Sequence, residues 1–151
     1  MASNRVIGNG VKIPWHIPDD FKWFKSQTTG QSLLMGNTTF KAIGKPLPNR
    51  HTFVMTRDME KLKLSSQPLY SYVTEEWLLH WLAFSPDAKD LWLCGGAKIY
   101  ERFLPYCNEI VVSHVVGDFD GDVFMPPFEH FFFEQEILLE HKDFHVVRYS
   151  K

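Results

Sequence analysis

Two short apolar runs in this chain each close on glycine and lead straight into a helix-like stretch. Ser32-Leu33-Leu34-Met35 ends at Gly36 before Asn37-Thr38-Thr39 and Phe40-Lys41-Ala42-Ile43, and Asp90-Leu91-Trp92-Leu93-Cys94 ends at Gly95-Gly96 before the stretch 97–104. Runs this short read as buried strands rather than helices. A strand, a tight turn and a helix, used repeatedly, point to the parallel sheet of an α/β domain. Between the two units, residues 51–56 read as a strand delivering Arg57 at its end, 69–73 as a third strand and 74–84 as a helix. Asn37, Thr38 and Thr39 offer helix caps, Gly44 a stop, and Pro105 the end of the helix that begins at Ala97.

The flanks complete the pattern. Residues 4–10 carry two glycines and an Asn-Gly step and read as a turn-rich loop, and Pro14 and Pro18 bound Trp15-His16-Ile17. A helix follows from Pro18 to about Gly30, with Asp19 and Asp20 in the first turn, where the helix dipole favours acids. Residues 109–116 read as a strand, and 131–139 with 144–149 as a closing antiparallel hairpin. The expectation is a single domain over residues 1–151, with a mostly parallel central sheet, an antiparallel C-terminal hairpin and helices on both faces.

Composition narrows the function classes. At 151 residues the chain has the size of one domain, and 16 basic against 18 acidic residues leave a formal charge of -2, which argues against a general nucleic-acid surface. Any anion site is therefore local. The apolar runs fall short of the ~18 residues that span a bilayer, and no secretory signal is visible. Cys94 and Cys107 lie outside a zinc or C-x-x-C spacing and read as reduced thiols of a cytoplasmic protein.

In a parallel sheet the two glycine turns lie at the carboxyl edge, where backbone amides at a helix start bind phosphate and glycine permits close approach. Together they suggest a pyrophosphate cradle; singly, each could do no more than end a strand. Arg57 and Lys98, each just past a strand end, could charge a further phosphate or simply be solvated. Asp20 has Trp23 and Phe24 at i+3 and i+4, whereas Asp19 has Lys22 at i+3. A carboxylate among rings is costly unless it binds something cationic or hydrogen-bonding, which makes Asp20 a site candidate beside the simpler reading of a first-turn acid. Asp118-Phe119-Asp120-Gly121-Asp122 with Glu129 resembles a calcium loop, but its glycine is misplaced and Pro126-Pro127 interrupt it, so no metal is expected. His141 and His145 read as surface histidines around a hairpin turn.

Taken in order, Arg5-Val6-Ile7-Gly8, Pro14-Trp15-His16-Ile17-Pro18, Asp20-Phe21, Phe24-Lys25, Met35-Gly36, residues 43–50 (Ile-Gly-Lys-Pro-Leu-Pro-Asn-Arg), Thr56-Arg57 and Gly95-Gly96-Ala97 with Ile99-Tyr100 resemble the dihydrofolate reductase family. The likeness runs from about Asn4 to Asp122. It implies NADPH-dependent reduction of 7,8-dihydrofolate in one-carbon metabolism, and an antifolate target. By that resemblance Asp20 holds the pterin and promotes protonation, with Trp15 and Ser113 ordering water and hydrogen bonds. Phe21, Phe24, Ile43, Leu47, Cys94 and Tyr100 would meet the substrate, and Arg50 would pair with its glutamate carboxylate. Ile7, Asn9, Gly36, Asn37, Thr38, Thr39, Thr56, Arg57, Gly95, Gly96, Ala97, Lys98 and Ile99 would hold NADPH. Residues 8–13 would form a mobile loop braced by Asp122. A monomer with a small-molecule substrate, and with neither nucleic acid nor membrane as partner, is the expected state.

The chain departs from the family pattern in three places. Asn37 stands where many members carry a basic residue, which shifts the NADPH preference to Arg57 and Lys98. The hairpin connection at Lys142-Asp143 is short. Only Met1-Ala2-Ser3 precede Arg5-Val6-Ile7-Gly8 by way of Asn4, where the family has a central apolar strand, so the natural polypeptide is expected to begin upstream. The rival readings are a same-fold reductase acting on another pterin or a pyrimidine, and a silent nucleotide- or antifolate-binding remnant. Comparing NADPH binding with NADPH oxidation on each substrate separates them.

Overall fold

Residues 1–64, 66–86 and 91–151 are described by the structure, a computed structural model. The chain divides into two compact units, one formed by Met1–Trp23 with Tyr100–Lys151 and the other by Phe24–Ile99.

The Phe24–Ile99 unit is built on the expected parallel sheet. Its strands are β2 (Ser32–Gly36), β3 (His51–Met55), β4 (Tyr70–Val73) and β5 (Leu91–Leu93), in the spatial order β4-β3-β2-β5 with every pair parallel. Leu33, Leu34 and Met35 of the inner strand β2 are buried in succession, as are Thr52, Phe53 and Val54 of β3. Such unbroken buried runs belong to strands covered on both sides. Helix α1 (Pro18–Thr28) reaches this unit with its last turns, and α2 (Asn37–Ile43), α3 (Met59–Leu62), α4 (Glu75–Phe84) and the start of α5 (Ala97–Phe103) follow their strands. Thr74 caps α4 by accepting from the Trp77 amide. Gly44 ends α2 at φ 83°, a left-handed conformation that favours glycine.

The other unit holds β1 (Val6–Gly8), β6 (Glu109–Val115), β7 (Val123–Phe124), β8 (Glu134–Glu140) and β9 (Phe144–Ser150). The order β6-β9-β8 is antiparallel throughout, so the late strands and hairpin are as expected. One face carries Leu104, Val112, Met125, Phe128, Phe132, Val147 and Tyr149, and a second cluster gathers Val115, Phe144 and Val146 against Trp15, Ile17 and Trp23.

Several expectations need correction. Residues 4–10 are not all loop, because Val6–Gly8 pairs antiparallel with β7, a partner too distant in sequence to leave a local signal. Met1 and Ala2 run beside β6: the Val115 amide donates to the Met1 carbonyl at 2.9 Å, and Ala2 bridges Val115 in parallel register. Asn37, Thr38 and Thr39 lie inside α2 rather than capping it, since Gly36 occupies the cap and no side-chain cap bond forms. Pro105 does not stop the helix outright. The α-helix ends at Phe103 and Pro105 sits in a 3₁₀ turn, Leu104–Tyr106, whose early amides need no partner. The hairpin strand begins at Glu134, residues 129–131 having folded into another 3₁₀ turn. Helix α3 and strand β7 were not legible, being too short to show a period. Asp90 lies outside the described residues.

Candidate active site

In the Phe24–Ile99 unit three neighbouring parallel strands end side by side, and each ends in predicted cofactor residues. β3 leads into Thr56 and Arg57, β2 into Gly36, Asn37, Thr38 and Thr39, and β5 through Cys94 into Gly95, Gly96, Ala97, Lys98 and Ile99. The two glycine turns are bonded to each other: the Gly36 amide donates to the Gly95 carbonyl at 2.9 Å, and the Cys94 amide to the Leu34 carbonyl at 2.8 Å. A Cβ on Gly96 would stand 3.2 Å from Thr39 Oγ1, and one on Gly36 3.5 Å from Ile99 Cγ1. Gly95 adopts φ 103°, and the Gly95-Gly96 peptide is cis. Asn37 Oδ1 is buried without a hydrogen-bond partner among the described residues. Two glycine turns in contact, an unmatched polar atom and the cations Arg57 and Lys98 fit a phosphorylated dinucleotide. Thr56 is buried, and its hydroxyl accepts from the Asp58 amide at 3.0 Å, so the segment carrying Arg57 is held as it leaves the sheet.

The same unit holds most of the predicted substrate residues. Arg50 is only 5% exposed, with Nε donating to the Pro48 carbonyl at 3.0 Å and Nη1 to Thr28 Oγ1 at 3.1 Å. Burial pushes the Cys94 thiol up to about 12, against the opposing pull of the Arg50 cation, so its sulfur is neutral rather than a nucleophile. Phe24 and Leu47 are half-buried, and Ile43 remains 40% exposed on the last turn of α2. Thr28 was missed from sequence. A threonine near a helix end gives no sign that its hydroxyl orients an arginine 22 positions away.

In the other unit, the Asp20 amide donates to the Ile17 carbonyl at 3.0 Å at the start of α1, leaving the half-buried side chain on the first turn. Asp19 has the partners expected of it, Lys22 at 3.8 Å, and also His141 at 3.0 Å. The Met1 nitrogen donates to the Ser113 backbone carbonyl at 2.6 Å; burial pushes this amine down to about 6 while the Asp20 charge acts in the other direction. Trp15 meets Phe119 edge-on with ring centres 5.4 Å apart. Phe21 is 41% exposed, near His16, and Ile7 and Tyr100 pack on the larger apolar cluster. Asn9 exchanges two backbone hydrogen bonds with Lys12, and the next amide, Gly10, donates to Asp122 Oδ1 at 2.8 Å. Two of the acids that resembled a calcium loop have other partners: Asp122 holds the Gly10 turn and Glu129 pairs with Arg5 at 2.5 Å. No cluster of metal-ligating side chains occurs among the described residues.

Comparison with known proteins agrees with this geometry. A solved dihydrofolate reductase from Enterococcus faecalis, complexed with NADP(H) and RAB-propyl, superposes with a TM-score of 0.80 over 99% of this chain and 90% of its own, at 24% identity, which shows the fold. Dihydrofolate reductase type A13 of Escherichia coli is 42% identical over 130 residues, covering 83% of this chain and 73% of the relative. Dihydrofolate reductase of Bacillus subtilis (strain 168) is 32% identical over 129 residues, covering 85% and 73%. The dihydrofolate reductase family model matches residues 1–148. With the parallel strands, the paired glycine turns and the relatives in agreement, this chain belongs to the dihydrofolate reductase family.

Proposed function

We propose that this protein reduces 7,8-dihydrofolate to 5,6,7,8-tetrahydrofolate with NADPH. The observation that carries the reading is the meeting of Gly36 and Gly95 at the ends of adjacent parallel strands, beside Arg57 and Lys98, in a chain of this family. When bound, NADPH supplies a hydride to C6 of the pterin, and a proton from solvent completes the saturation at N5. The residues of the chain bind, orient and favour that protonation. Gly36 and Gly95 hold the two turns together, the residues after them, Asn37 to Thr39 and Gly96 to Ile99, present backbone amides and hydroxyls to the diphosphate, and Arg57 meets the additional ribose phosphate, since a guanidinium matches phosphate oxygens in pairs. Ile7 and Asn9 add contacts to the nicotinamide end.

Asp20 accepts hydrogen bonds from the pterin amino group and ring nitrogen and favours protonation at N5, while Trp15 and Ser113 order water about it. Phe21, Phe24, Ile43, Leu47, Cys94 and Tyr100 supply apolar surface for the pterin and aminobenzoyl rings. Arg50, already oriented by Pro48 and Thr28, binds the glutamate carboxylate. The family model spans nearly the whole chain and supports a single dihydrofolate reductase domain. A charge of -2 and two free cysteines support a cytoplasmic monomer that binds no nucleic acid, and among the described residues no helix is long and apolar enough to cross a membrane.

The test is NADPH oxidation, followed spectrophotometrically, with dihydrofolate and with other pterins and pyrimidines side by side. Turnover on dihydrofolate above the alternatives supports the reading. NADPH binding with no oxidation on any substrate overturns it.

A further inference from the structure

The residues assigned to the reductase leave untouched a cavity of about 310 Å³ in the Phe24–Ile99 unit, lined by Phe40, Lys41, Gly44, Lys45, Pro46, Tyr70 and Tyr72. Its floor is aromatic. Tyr70 and Tyr72 stand two apart on β4, the edge strand of the parallel sheet, and therefore share a face. Phe40 of α2 meets both, with ring centres 5.1 Å from Tyr70 and 6.4 Å from Tyr72, and the two tyrosines are themselves edge-to-face at 5.9 Å. The rim is basic. Lys41 and Lys45 are exposed beside the cavity, and the Lys61 ammonium lies 5.1 Å from the Tyr72 ring centre. No acid lines it. Lys63, just past the end of α3, pairs with Glu60 at 2.8 Å.

We propose that this cavity binds a small aromatic anion, a flat ring carrying a phosphate or a carboxylate, at a site separate from those assigned to NADPH and dihydrofolate. An aromatic floor with two exposed lysines among the lining residues is the arrangement that such a ligand needs, and the volume accommodates a single substituted ring. Stacking on Phe40, Tyr70 or Tyr72 supplies contact area. The two ammonium groups supply the choice of charge. The C-terminal end of α2 carries about half a negative charge, which two full positive charges outweigh. This inference stands on the cavity alone and does not depend on the reductase reading.

The test uses the full chain saturated with NADPH and folate, so that the sites assigned to them are filled. Phenyl phosphate, benzoate and uncharged benzyl alcohol are titrated in turn while the ring-proton resonances of Tyr70 and Tyr72 are followed by NMR. Saturable shifts of both rings with either anion, and much smaller shifts with benzyl alcohol, support the site. The Lys41→Glu/Lys45→Glu double variant, altered only at exposed positions, should then bind the preferred anion about tenfold more weakly. Equal shifts with the alcohol, or affinity unchanged in the double variant, overturn the proposal, as does failure of either anion to move the two tyrosines.

Discussion

The Thr28 hydroxyl stands between two partners, accepting from Arg50 Nη1 at 3.1 Å and donating to the Phe24 carbonyl at 2.8 Å. A buried guanidinium must keep its donors satisfied within the fold, and this hydroxyl does so for one of those of Arg50, which we propose meets the substrate carboxylate. Thr28→Val is expected to cost about 1–3 kcal/mol of stability by stranding that donor. It should also raise KM for dihydrofolate more than it lowers kcat. Thr28→Ser, which keeps the hydroxyl, should restore both. Chemical denaturation and steady-state kinetics check the pair, and normal stability in the valine variant would remove Thr28 from the account.

Asp20→Asn keeps the shape of the side chain and removes its charge. Turnover at neutral pH is expected to fall about 10²-fold or more, the scale of a lost proton-transfer contribution, with NADPH affinity little changed. In the parent protein the rate should decline as pH rises, because a proton is consumed. Stopped-flow turnover with parallel cofactor titration separates the two effects, and an undiminished rate would end the assignment.

Arg57 emerges exposed just past the end of β3, beside the Gly36 turn of β2. Arg57→Ala should weaken NADPH binding about tenfold or more while leaving NADH nearly unaffected, as expected for loss of a charge-assisted pair to the extra phosphate. Equal losses for the two cofactors would place its role elsewhere.

Much of the parallel unit was legible because its punctuation is local. Gly36 and Gly95 mark strand ends, Gly44 closes α2 and Thr74 opens α4, each through chemistry confined to a few neighbouring residues. The two glycine turns were likewise readable as strand-to-helix turns, and their phosphate-binding role is the one we propose for them. What stayed hidden depends on partners far along the chain. Val6–Gly8 looks like loop until Phe124 and Val123 lie beside it, and nothing near Arg50 announces Thr28. The 3₁₀ turns at Leu104–Tyr106 and Glu129–Phe131 escaped for a different reason, since a single turn has no period to detect.

Gly121 has no room for a side chain. A Cβ there would fall 2.4 Å from the Gly8 carbonyl oxygen and 2.5 Å from Val6 Cγ1, and the first of these is backbone that cannot rotate away. Gly121→Ala should therefore push the turn off β1, lower stability by about 1–3 kcal/mol and loosen the Asp122 bond to Gly10. A thermal melt tests the first effect, and hydrogen exchange at the Gly10 amide tests the second.

His114 stacks on His145 with ring centres 4.9 Å apart and shares a hydrogen bond with the Tyr149 hydroxyl at 2.8 Å. Burial, then the neighbouring His145, pushes its imidazole down to about 4 from an ordinary 6.5. As pH falls the unfolded chain takes up this proton first, so the contribution is whole above about 6.5 and lost between there and about 4. His114→Gln should flatten the stability profile across that window, as read by denaturation at a series of pH values.

The pairing of β1 with β7 sets a timetable. Gly10 and its partner Asp122 are 112 positions apart. At about 5–20 residues per second the ribosome needs roughly 6–22 s to deliver the second after the first. Through that interval Val6 and Ile7 are made but have no strand to join, whereas β8 and β9 meet almost as soon as both emerge. The segment that carries two of the proposed cofactor contacts, Ile7 and Asn9, is thus held in place only once a partner 112 positions further along the chain has been made.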